Sequence, residues 1–224
     1  MMMAARAHVE SLLRARKLDV TLTTVAPWAR AARAVAPTGI APIDDALGGG
    51  LARGQLSEIV GPRSSGRTSV MCHMLAAAAA RGEAVALVDT CDRFDPRSAE
   101  AAGVDLSKLL WVRDTGDAVR ALNAMNLVLQ AGGFGLVAFD LADVPAMALR
   151  QFPYTTWMRV ARVIEGSQTA AVIVGADRIA RSPGGVTIAL DAPATGSRGR
   201  WSGAADRARL LRAIDIQPRI VGAR

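Results

Sequence analysis

Eight consecutive residues, Gly61-Pro62-Arg63-Ser64-Ser65-Gly66-Arg67-Thr68, fit the spacing G-x-x-x-x-G-K-[ST] at every fixed position except the lysine, which is Arg67. That spacing serves phosphate binding. The glycines let the backbone curl its N–H groups around anionic oxygens. A following helix turns the positive end of its dipole toward the same anion. Thr68 is the position that holds Mg²⁺, and Ser69 extends the loop into the helix. Asp140 closes the apolar run GLVAFD. Arg67 keeps the charge of the expected lysine, but its guanidinium is planar and longer, so the change is not conservative where a point charge must reach a phosphate.

These residues need a strand before the loop and a helix after it, and the stretch from Ser57 to Ala80 supplies both. Further along, Ala84–Asp89, the run KLLWVRD, Gly135–Asp143 and TAAVIVGAD read as strands. Their continuous apolar runs suit a parallel sheet covered on both faces. Helices are predicted after Asp95, which is an N-cap residue type, over Gly116–Ala131, and over Pro145–Gly166 with a break at Pro153. A short helix lies between turn signals in Ala36–Gln55. From Gly185 onward, VTIALDA, RGRWSG and ARLLRAIDIQPRIV read as closing antiparallel strands. Alternating strands and helices predict an α/β fold: a mostly parallel twisted sheet flanked by helices.

The 224 residues suit one core with an arm: 1–36 as a helix-strand arm and linker, 37–194 as the core, 195–224 as basic strands and tail. In the arm, Val9, Leu12 and Leu13 form a helical stripe, and Leu18, Val20 and Leu22 line one face of an alternating strand. That strand has no hairpin partner nearby, so its polar backbone needs an exposed sheet edge, in this chain or another. The net charge of +7 sits at the ends: residues 1–36 carry +4 and 195–224 carry +5, which leaves the middle at −2. Such asymmetry points to an acidic partner met by the ends. For single-stranded DNA the candidates are Arg198, Arg200, Arg207, Arg209 and Arg212, with Trp201 as a stacking platform; a solvated arginine surface over a packed Trp201 is the alternative. Cys72 and Cys91 have no disulfide or metal spacing, and His8 and His73, the only histidines, form no catalytic constellation. No secretory signal or membrane span is predicted, so a soluble, cytoplasmic protein is expected.

Taken together, the motifs resemble the RecA-like P-loop ATPase core over roughly Thr38 to Leu190. Thr38-Gly39-Ile40 with Asp44 to Gly50 resembles T-G-x-x-x-L-D-x-x-L-G-G-G. GPRSSGRTS resembles GPESSGKTT, and Asp89 through Leu110 resembles F-I-D-A-E-x-x-L-D-P-x-x-A-x-x-L-G-V-D-x-x-x-L. Asp140 stands where the family has its Walker B aspartate. The resemblance implies ATP and Mg²⁺ as cofactors. It also exposes departures: the loop lysine is Arg67, the water-activating glutamate falls at Cys91 with Asp92 one position off, and the γ-phosphate-sensing glutamine is replaced by Gly175-Ala176. The two DNA-binding loops are cut down, within Leu141–Pro153 and Asp177–Gly185, and the family's large C-terminal domain has no counterpart.

The reduced core with a short basic tail is most similar to the ImuA-type accessory proteins of bacterial translesion synthesis. That resemblance implies a non-catalytic adaptor of the SOS-type DNA damage response, with a degenerate nucleotide site, binding RecA, a Y-family-like polymerase subunit or DNA. Three catalytic positions changed together favour this over an active DNA-dependent ATPase of the RecA family; a cell-division inhibitor is the weaker alternative. By the same resemblance the arm self-associates or pairs with RecA.

Overall fold

The computed structural model describes residues 34–180, 185–190, 199–202, 210–214 and 218–221. The predicted arm residues Val9 to Leu22, and Arg198, Arg207 and Arg209, lie outside them. The described residues form one compact unit. In chain order the strands are β1 (Val35–Ala36), β2 (Leu51–Ala52), β3 (Leu56–Val60), β4 (Ala84–Asp89), β5 (Leu109–Arg113), β6 (Phe134–Asp140), β7 (Ala170–Gly175), β8 (Thr187–Leu190), β9 (Gly199–Ser202), β10 (Leu210–Ile214) and β11 (Pro218–Val221). The helices are α1 (Ala41–Leu47), α2 (Arg67–Ala80), α3 (Pro96–Ala101), α4 (Ala118–Ala131), α5 (Ala146–Leu149) and α6 (Tyr154–Ile164).

Seven strands form the main sheet in the order β11-β8-β3-β7-β6-β4-β5. Every pair is parallel except β11 with β8. The predicted antiparallel closing strands at the C-terminus are present, and Thr187–Leu190 takes part in one antiparallel and one parallel pairing. β8 is antiparallel to β11 but runs parallel to β3, because the chain crosses over β3 after β7 before it pairs. The antiparallel pair β9–β10 stands as its own ribbon, with a register shift at Arg212 between Leu211 and Ala213. Arg200 and Trp201 lie on β9 and Arg212 on β10.

The apolar strands are continuous because both faces are covered: β3 and β7 are buried at every residue. One face packs Ile59, Leu87, Ala138 and Val172 under α2. The other packs Ala86, Val137, Phe139 and Ile173 under α4 and α6, around the fully buried Trp157. Asp95 caps α3 by accepting from the Ser98 amide at 3.1 Å, and Asp117 caps α4 through the amides of Val119 and Arg120. Pro153 separates α5 from α6. Before α1, the Asp44 carboxylate accepts from the Thr38 amide and hydroxyl, both at 2.8 Å, and from the Gly39 amide at 3.1 Å. The Thr-Gly…Asp motif is thus a turn lock. Inside the sheet the buried Glu58 accepts from the amides of Ile179 and Ala180 at 2.9 and 2.8 Å, which fixes the chain where it leaves β7.

The topology brings four loops to one edge, those that follow the carboxyl ends of β3, β7, β6 and β4. Ligands in open parallel sheets bind at that edge.

Candidate nucleotide site

The phosphate loop joins β3 to α2. Gly61 has no room for a side chain: a Cβ there would come within 2.5 Å of the Leu190 carbonyl oxygen and 2.6 Å of Ser65 Oγ. Gly66 caps α2 at φ +97°, a conformation open to glycine, and Ser64 also takes a positive φ of +61°. The loop is wound tightly and ends on a fourteen-residue helix whose N-terminal amides face the same edge.

Two side-chain atoms of this loop are buried without a hydrogen-bond partner, Ser65 Oγ and Arg67 Nη1; a third such atom, Thr90 Oγ1, lies after β4. Arg67 is 8% exposed and Ser65 4%. A buried guanidinium nitrogen or hydroxyl left unpaired is costly. Two orphaned donors within a phosphate-type loop fit an anionic ligand that accepts from them. Pro62, Arg63, Ser64 and Thr68 are exposed around this core, and Gly66 and Ser69 half-buried. Thr68 occupies the second position of α2 and is exposed.

Asp140 is half-buried at the end of β6, level with Asp89 on β4, its partner in the ladder. Burial, reinforced by the charges of Asp89 and Asp143, pushes its carboxyl up to about 6, against the Ala142 amide and the Arg67 guanidinium. Among the described residues no group of three or more His, Cys, Asp or Glu side chains is arranged to hold a metal by itself. Mg²⁺ at Thr68 and Asp140 would take its other ligands from phosphate and water, as it commonly does.

The cleft beside Asp140 is lined by Asp89, Cys91, Arg93 and Asp143. Asp89 is fully engaged in holding the turn after β4: it accepts from the amides of Arg93 at 3.0 Å and Phe94 at 2.8 Å, and from Trp111 Nε1 at 3.3 Å. Cys91 faces the cleft with its thiol pushed up, first by burial and then by Asp143, Asp140 and Asp89. A protonated thiol is a poor general base. Asp92 is no substitute, because it sits at φ +53° in a two-point pair with Arg113, both bonds at 2.8 Å. Gly175 ends β7 and carries no side chain. Cys72 is buried on α2 with its thiol raised to about 11 by burial and the charge of Asp140. His73 Nδ1 lies 2.8 Å from the Ser69 carbonyl oxygen.

Arg93 and Asp143 went unread in the sequence. The available signal was position: each stands three or four residues past the aspartate that ends a parallel strand. The segments after β6 and β7 line a neighbouring groove with Leu149, Phe152, Tyr154 and Ile179, and with Arg150 and Arg178.

The sequence model of the RecA N-terminal domain matches residues 25–150, more than half of the chain. The chain belongs to the RecA N-terminal domain family. Curated RecA proteins are similar in sequence: that of Symbiobacterium thermophilum is 43% identical over 108 residues, that of Clavibacter michiganensis subsp. michiganensis 42% over 113, and that of Mycobacterium tuberculosis 41% over 114. These matches cover 47–50% of this chain and 30%, 31% and 14% of those proteins, so the RecA-like chain spans less than a third of their length. In three dimensions the crystal structure of the RadB recombinase superposes with a TM-score of 0.55 at 17% identity, covering 73% of this chain and 86% of that one. That likeness is one of fold. Among the described residues, no helix is long and apolar enough to cross a membrane.

Proposed function

We propose that this RecA-like protein is a nucleotide-binding accessory in DNA damage tolerance, similar to ImuA-type proteins, that hydrolyses nucleotide poorly or not at all. The single observation that carries this reading is the contrast at the cleft. The loop presents orphaned donors suited to phosphate, while the position of the water-activating base is filled by the raised thiol of Cys91. Phosphoryl transfer to water needs an oriented nucleophile as well as charge neutralisation. Gly61, Ser65, Gly66 and Arg67 hold the phosphates, and Thr68 with Asp140 hold Mg²⁺. Mg²⁺ held there would supply charge neutralisation for the phosphates.

In this reading the partner is RecA or a Y-family-like polymerase subunit, with single-stranded DNA bound through arginines, and the arm around Leu12 and Val20 mediates assembly. An active DNA-dependent ATPase is the second reading, with which the same orphaned loop donors agree.

Fluorescent ATP binding and phosphate release, measured with and without single-stranded DNA, separate the two. The accessory reading expects Mg²⁺-dependent binding that Arg67→Ala weakens, with no DNA-stimulated release. Turnover of several per minute that Asp140→Asn abolishes establishes the ATPase instead.

A further inference from the structure

Asp143, in the loop after β6, is held by two arginines from two other loops. Arg63 Nη2 of the phosphate loop lies 3.1 Å from its Oδ1, and Arg93 Nε of the turn after β4 lies 3.8 Å from its Oδ2. The three residues bridge the ends of three strands across the mouth of the cleft that Asp89, Cys91 and Asp140 line. Both arginines are well exposed, their side chains 85% and 72% accessible, whereas Asp143 is 34% accessible. Exposed pairs of this kind are weak and readily exchanged. The buried, unpaired Arg67 Nη1 and Ser65 Oγ belong to the same loop as Arg63, and the Arg67 charge acts on Asp140, which lines the same cleft as Arg93 and Asp143.

We infer that Arg63 and Arg93 read the terminal phosphate of a nucleoside triphosphate and that Asp143 is their resting counter-ion. The inference rests on the nucleotide-binding reading and adds to it a preference for triphosphate over diphosphate. A terminal phosphate carries more charge than a carboxylate and presents three acceptor oxygens, so it competes well for guanidinium groups. The phosphate deepest in the loop meets Arg67 and the helix amides. The outermost phosphate faces the cleft mouth, where Arg63 and Arg93 converge. Asp143 opposes its arrival twice, by occupying both arginines and by repelling the anion. The arginines give the triphosphate a contact that the diphosphate lacks, and Asp143 sets how hard that contact is to obtain. Selectivity of this kind comes from a competing element as much as from an attractive one.

Equilibrium binding of fluorescent ATP and ADP, with Mg²⁺ and at two salt concentrations, tests this in the full-length wild type and in Asp143→Asn, Arg63→Gln, Arg93→Gln and Arg67→Ala. Asp143→Asn is expected to tighten ATP about fivefold, with ADP nearly unchanged and the effect smaller at high salt. Arg63→Gln and Arg93→Gln are each expected to weaken ATP by a few-fold toward the affinity for ADP. All three side chains are accessible enough that the variants should fold, which circular dichroism verifies. Wild-type ATP binding with no change in Asp143→Asn, or with ATP and ADP shifted equally, overturns the phosphate reader and leaves the nucleotide site standing. Absence of measurable ATP binding by the wild type refutes the nucleotide reading and the reader with it.

Discussion

The phosphate loop and the carboxylate cleft occupy neighbouring ends of one sheet and have opposite deficits. The loop holds donors without acceptors, Arg67 Nη1 and Ser65 Oγ. The cleft holds acceptors in excess: Asp89 already takes three donors, Asp143 two arginines, and Asp140 is pushed toward its neutral form. The first arrangement is completed by an anion. The second lacks a carboxylate free to orient water, since Cys91 is a raised thiol and Asp92 is tied to Arg113. The difference teaches that, in the proposed reading, binding and hydrolysis depend on different loops and can be tested apart.

Closing the loop is the harshest way to break the comparison. Gly61→Val would drive a side chain into the Leu190 carbonyl and Ser65. Overpacking against backbone should cost about 3 kcal/mol and lower Tm on the order of 10 °C, with nucleotide binding lost. A variant that melts with wild type and binds normally would mean the loop adopts another path.

Restoring the cleft comes next. Cys91→Glu combined with Arg67→Lys supplies a base and a point charge. A carboxyl placed among Asp89, Asp140 and Asp143 would have its pKa raised toward neutrality, where a general base works well. Hydrolysis should rise about 100-fold over wild type, read by phosphate release. No gain, with nucleotide still bound, would locate the defect at Gly175 instead.

Much of this was legible from residue order. The strand-loop-helix at Ser57–Ala80, the Asp95 cap and the break at Pro153 follow from local chemistry, and local chemistry is what a sequence displays. The β1–β2 ribbon was not legible, because two-residue strands carry no periodicity. Nor was the direction of β8, because an apolar run reads alike in either direction and only its crossover over β3 sets its sense. The environment of Cys91 was half legible: its identity predicts a missing base, but the pairing of Asp92 with Arg113 depends on β5 lying beside β4. Asp143 and its two arginines come from three loops separated by 30 to 80 residues, and no local pattern announces such a meeting.

Arg67→Ala probes the loop more gently. One or more charge-assisted contacts to phosphate would be lost, weakening nucleotide about 30-fold. Folding should respond in the opposite sense, because the variant removes a buried guanidinium nitrogen that has no partner. Tm of the free protein is expected to hold or rise. A fall of several degrees would show that Arg67 is a packing residue, and the loop would lose its claim to be built around a ligand.

The smallest effect comes from Asp140, where the two regions meet. Its carboxyl is raised from 3.8 to about 6, chiefly by burial, so the folded state favours the protonated form. The stabilising contribution of that proton is complete below the ordinary carboxylate range and is lost as pH rises through about 6. Asp140→Asn keeps an acceptor for the Ala142 amide, 2.9 Å away in the wild type, and cannot ionise. The variant should therefore be more stable than wild type at pH 7.5, on the order of 1–2 kcal/mol after solvent screening, and the gap should close by pH 4. Mg²⁺ with ATP reverses the order, because an ionised Asp140 then has a cation to bind. Urea titrations at pH 4, 6 and 7.5, with and without Mg·ATP, read both halves. If Mg·ATP stabilises wild type and Asp140→Asn equally, the carboxylate is no metal ligand, and the cleft serves only as the wall of the phosphate loop.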